Sequence, residues 1–103
     1  MARVELVDEV AQDFDRILQH LIEHGVDQPY QRIDEILQGC ALLAQHPQIG
    51  RPMVGPAGRA LRELVIGEGS HGYLALYEYR AALDLVLVVA LRAQRELQYA
   101  PRA

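Results

Sequence analysis

Lysine is absent from this chain, and all ten of its basic residues are arginines. That excludes Schiff-base chemistry, a phosphate-loop lysine and a lysine general acid. Tryptophan is also missing, and a single cysteine, Cys40, rules out a disulfide within the monomer. Cys40 falls on the apolar stripe of an expected helix, so a buried, inert thiol in a reducing compartment is the natural reading. No apolar run approaches the roughly 18 residues needed to cross a bilayer, and no basic segment leading into an apolar one opens the chain. The expectation is a soluble, cytoplasmic protein with no membrane partner. At 103 residues, half of them apolar, a single domain over 1–103 is expected to bury roughly two-thirds of its unfolded surface.

The formal charge of −4 conceals an uneven division. Residues 1–50 carry nine acids against Arg3, Arg16 and Arg32, a balance of −6, whereas residues 51–103 carry five acids against seven arginines, a balance of +2. The basic half suits an acidic protein or a phosphate backbone, although seven arginines make a thin footprint for nucleic acid.

Periodicity gives the architecture. Residues 2–6 alternate as a short strand, with Val4 and Leu6 on one side. Asp8 is positioned to cap a helix on which Val10, Phe14, Ile17, Leu18 and Leu21 recur at helical spacing, and Gly25 supplies its stop. The opposite face of that helix carries Asp13, Asp15, Arg16, Gln19 and Glu23. Asp27 offers a second cap, with Pro29 in the first turn, and Ile33, Ile36, Leu37, Cys40, Leu43 and Ala44 form the next stripe before His46-Pro47 ends it. Residues 46–58, rich in proline and glycine, read as an irregular connection. Strands are expected at about 60–67, 72–79 and 84–91, joined by short links that favour antiparallel hairpins. The middle strand alternates, with Tyr73, Ala75, Tyr77 and Tyr79 on one face, and the last is apolar throughout, as suits the interior of a sheet. The expected fold is α+β, in the order β-α-α-β-β-β: an antiparallel sheet of about four strands packed against a two-helix hairpin, with a short tail.

Chemistry-bearing patterns are sparse. His20 and His24 stand one helical turn apart but lack a third ligand at a recognisable spacing. Residues 67–72 lack the pattern of a phosphate-binding loop and read as a hairpin turn. No cofactor and no metal are expected. The arginines are the better candidates: Arg62 in a strand, with Arg92, Arg95 and Tyr99 just beyond the last strand, stand where a rigid sheet could present them to a target. Alternatively they pair with nearby acids such as Glu63 or Glu96 and only solvate the surface.

The opening strand, the 13–17 stretch Asp-Phe-Asp-Arg-Ile, the 43–52 run Leu-Ala-Gln-His-Pro-Gln-Ile-Gly-Arg-Pro, the 61–64 run Leu-Arg-Glu-Leu, Gly72-Tyr73 with Tyr77, and Val89 through Arg95 together resemble the RelE/ParE superfamily. These are small toxins of type II toxin–antitoxin systems, also called plasmid stabilisation proteins. The resemblance implies a cognate antitoxin as partner, in a homodimer or a heterotetramer with that antitoxin. It also implies one of two targets. RelE-like members cleave messenger RNA on the ribosome with lysines, arginines and a C-terminal tyrosine, whereas ParE-like members poison DNA gyrase and lack that set. Arg95 and Tyr99 match late positions of the RelE-like pattern and would be its catalytic residues here. Gly69 and Ala93 stand where that pattern has arginines, and its lysines are missing. The expectation is therefore a ParE-like toxin that binds gyrase; the runner-up is a ribosome-dependent endoribonuclease, and a third reading is a non-toxic binding module of the same fold.

Overall fold

The computed structural model describes residues 1–101, which leaves Arg102 of the basic half outside the described residues. The chain forms β1 (Arg3–Leu6), α1 (Val10–Glu23), α2 (Pro29–Ala41), β2 (Arg51–Val54), β3 (Ala60–Ile66), β4 (Tyr73–Arg80) and β5 (Leu85–Ala93), with short 3-10 turns between several of them. The strands make one five-stranded sheet in the order β1-β5-β4-β3-β2. From β5 to β2 it is an antiparallel meander, whereas β1 runs parallel to β5, with Arg3 opposite Leu85 and Leu6 opposite Val88. Among the described residues no helix is long and apolar enough to cross a membrane.

The two helices form where the apolar stripes required them. Helix α1 buries Val10, Ile17 and Leu21 and ends in a Schellman motif: Gly25 adopts φ +62°, and the Val26 amide donates to the Leu21 carbonyl at 3.0 Å. Neither expected N-cap is used: Glu9 and Gln28 occupy those positions without a side-chain cap, and Pro29 opens α2. In α2 and the turn after it, Ile36, Cys40 and Leu43 are buried, while Leu37 faces out. Burial alone raises the Cys40 thiol to about 11, so it is inert.

Both helices cover one face of the sheet. Tyr73, Ala75 and Tyr77 of β4 meet them there together with Val86, Val88, Leu91 and Ala93 of β5. On β5 the inward residues fall out of phase, 86 and 88 against 91 and 93. The register shift between Leu76 and Tyr77 resolves this, because Tyr77 pairs with Val88 while Leu76 pairs with Ala90, leaving Val89 as the extra residue of a bulge. A strand apolar at almost every position is thus interior to the sheet, flanked by β1 and β4.

The stretch expected to be irregular contains the fifth strand. β2 is an edge strand, where Pro52 is tolerated because a missing amide need not interrupt a ladder on both sides. The loop before it is held from the helix side: the Gly50 amide donates to the Tyr77 hydroxyl at 2.9 Å, and Arg62 donates to the carbonyls of Gln48 and Gly50 at 3.0 and 2.8 Å.

Candidate functional site

The sheet face that the helices leave open is where the C-terminal tail lies. Alternation along β3 sends Arg62, Leu64 and Ile66 to the helix side and Leu61, Glu63 and Val65 to the open side. Register places Arg51 of β2 opposite Glu63, and Leu76 and Ala90 in the same row; Arg92 of β5 lies in the next row, opposite Leu74. Glu63 is only 2% exposed although it sits on this face, because Arg51 and Tyr99 close over it. Arg51 donates to one carboxylate oxygen from Nη2 at 2.6 Å and from Nε at 3.1 Å, and the Tyr99 hydroxyl donates to the other at 2.6 Å. The Arg92 guanidinium stacks over the Tyr99 ring, 5.1 Å from its centroid.

The tail reaches this position through Glu96. Its carboxylate accepts from Arg16 Nε at 2.8 Å, from Arg16 Nη2 at 3.2 Å and from the Ala93 amide at 2.9 Å. Its backbone carbonyl accepts from Arg92. Arg16 in turn donates to Asp13 at 2.8 Å and to the Leu91 carbonyl at 3.0 Å, while the Leu91 amide donates to Asp13 at 3.0 Å. Asp13, expected on the solvated face of α1, is fully buried at the centre of this network. The Glu96 hydrogen bond raises the Arg16 guanidinium above its ordinary value; burial opposes this, and Asp13 adds to it.

These geometries can be set beside known proteins. Residues 4–98 match the family model described as the ParE toxin of the type II toxin–antitoxin system parDE. The chain is also 30% identical over 96 residues to the toxin RelE3 of Caulobacter vibrioides, an alignment that covers 93% of this chain and 98% of that protein. The chain belongs to the RelE/ParE toxins.

The toxin's predicted site residues are divided by the fold. Arg92 and Tyr99 come together on the open face. Arg62 lies on the other side, where it holds the Gln48–Gly50 loop. Arg95 is exposed; desolvation, and after it the charge of Arg95, lowers the His20 imidazole. His20 and His24 stack at 3.9 Å between ring centroids, and among the described residues no group of three potential ligands could hold a metal ion. The two residues that organise the site, Glu63 and Glu96, are legible in the sequence only as partners for arginines. Asp13 gives no signal of burial there, because an acid three residues before an arginine on a helix is what a solvated ion pair also looks like.

Electrostatics follow from the closure over Glu63. Burial pushes its carboxyl up, but hydrogen bonds from Tyr99 and Arg51 and the charges of Arg51 and Arg92 outweigh burial and hold it below the ordinary value of 4.5. Glu96 is lowered in the same way by Arg16 and the Ala93 amide, against burial. A carboxyl whose folded-state value is depressed stabilises the fold fully above its unfolded value and loses that contribution as pH falls through the folded one. The toxin is therefore expected to melt at a constant temperature from about pH 7 to 8, at a slightly lower one below about pH 6.5, where His20 of the unfolded chain takes up its proton first, and at a steeply falling one below about pH 4.5. Thermal melts of Glu63→Gln should show a shallower acid decline than wild type; equal slopes would mean that Glu63 carries none of it.

Proposed function

We propose that this toxin acts by binding and poisoning a target protein, with DNA gyrase the leading candidate, and that it does not cleave RNA. The observation that carries this reading is the engagement of Tyr99 with Glu63 at 2.6 Å. Cleavage by 2'-hydroxyl attack needs a proton acceptor, positive charge on the phosphorane and a donor for the leaving group. Burial, and then the hydrogen bond to Glu63, push the Tyr99 phenol far above its ordinary value of 10. A phenol held that way is a poor base, and its one proton is already committed to a carboxylate. The same carboxylate puts negative charge where a phosphate would have to sit, with Arg51 spent on neutralising it. Ala93 is a core residue facing the helices, and Gly69 lies in an exposed turn at φ +59°. A cognate antitoxin belongs to the same reading.

The test sets a gyrase supercoiling and cleavage assay beside an assay for cleavage of ribosome-bound message. The expected outcome is activity in the first, with Tyr99→Phe changing it less than about 10-fold, since one hydrogen bond contributes about 1 kcal/mol. A ribonuclease using this phenol would lose roughly 100- to 10,000-fold. Message cleavage that Tyr99→Phe abolishes would replace this reading with the endoribonuclease one.

A further inference from the structure

The tail between β5 and the end of the described chain is fastened at two points on opposite sides of the sheet. On the helix side Arg16 grips the Glu96 carboxylate; on the open side Arg92 takes the Glu96 carbonyl and Glu63 takes Tyr99. Leu97 and Gln98 span the gap between these fastenings. Leu97 is 97% exposed, more than any other large apolar side chain among the described residues, and Arg95 is exposed two residues earlier.

Single exposed leucines are ordinary on protein surfaces. This one differs because a network of charged and aromatic groups keeps its backbone in place on both sides. An anchor held out in a fixed position forfeits little conformational freedom on binding, which is the advantage of preorganisation. Accordingly, we infer that the pinned tail presents Leu97 as an apolar anchor for a pocket on the target protein, apolar at its floor and acidic at its rim to suit Arg95. The acidic rim follows from charge: the exposed Arg95 carries a positive charge two residues before Leu97, and the adjacent Glu96 is already engaged by Arg16. This rests on the reading of the toxin as one that acts by binding a protein.

The experiment compares full-length wild type, Leu97→Asp and Leu97→Ala by growth inhibition on induction in a bacterial host, by the gyrase assay and by thermal melting. Both variants are expected to melt within about 3 °C of wild type, as exposed substitutions do. Leu97→Asp is expected to lose growth inhibition, with an affinity loss of about 30-fold or more where the target is assayed directly, and Leu97→Ala to fall between. Should Leu97→Asp melt early, Leu97→Ala alone decides the matter. Variants as toxic as wild type, or a wild type that inhibits growth in no host, overturn the inference. If gyrase is unaffected by wild type yet growth inhibition still depends on Leu97, the gyrase reading fails and the anchor stands. Gyrase poisoned equally by wild type and Leu97→Asp keeps the target and removes the anchor.

Discussion

Replacing Asp13 by alanine is expected to destabilise the toxin by about 3–4 kcal/mol: most of it from stranding the buried Leu91 amide, the rest from an ion pair to Arg16, whose side chain is a third exposed and still held by Glu96. The carboxylate is wholly buried and does two things at once: it accepts the Leu91 amide in the middle of β5 and neutralises Arg16. Alanine leaves a buried amide without its acceptor and a guanidinium short of one partner. In a domain of about this size the loss should appear as a fall in melting temperature of more than about 12 °C. Asp13→Asn keeps an oxygen for Leu91 and should fall between the two. An alanine variant that melts within a few degrees of wild type would show that the network is peripheral to stability.

Gly50→Ala should be nearly as damaging, at about 3 kcal/mol, the upper end of what overpacking costs. A Cβ there would lie 2.7 Å from Tyr77 Cε1, 2.8 Å from its hydroxyl oxygen and 2.9 Å from the backbone carbonyl of Glu63. Neither neighbour has room to retreat: Tyr77 is fully buried between helices and sheet, and the Glu63 carbonyl belongs to β3. Displacing the loop also breaks the hydrogen bond from Gly50 to Tyr77, about 1 kcal/mol of that loss. Tyr77→Phe isolates this second contribution and should cost about 1 kcal/mol, well below Gly50→Ala. Denaturant midpoints would separate the two; a Gly50→Ala protein no less stable than Tyr77→Phe would refute the steric account.

Those two positions show why some of the molecule is readable from its sequence. The stripes ending at Leu21 and Leu43 and the alternation around Tyr77 are local patterns, each set by one element's need to bury one face, and the α+β order follows from them. β2 is not readable, because Pro52 between Gly50 and Gly55 looks like a loop, and only its place at the sheet edge makes a strand compatible with that composition. The parallel pairing of β1 with β5 is equally hidden, since nothing near residues 3–6 records what lies opposite. The site divides along the same line. Arg92 and Tyr99 are close in sequence as well as in space, whereas Glu63 with Tyr99, and Arg16 with Glu96, are joined only by the fold. Arg62 looks like its fellow arginines and differs only by the parity of its position on β3.

The parallel pair also has a consequence for biosynthesis. Of the five strands β1 is made before the others and its ladder partner β5 after them, with the pinned tail later still. Contacts between the two ends of a chain are the slowest kind to form, because the whole intervening loop must close before they contribute. Until β5 and the segment after it are complete, β1 has no ladder partner and the network that pins Leu97 and Tyr99 cannot form. At about 5–20 residues per second, the segment from β1 to the end of β5 takes roughly 5–20 seconds to make, and the sheet cannot close before that interval has passed.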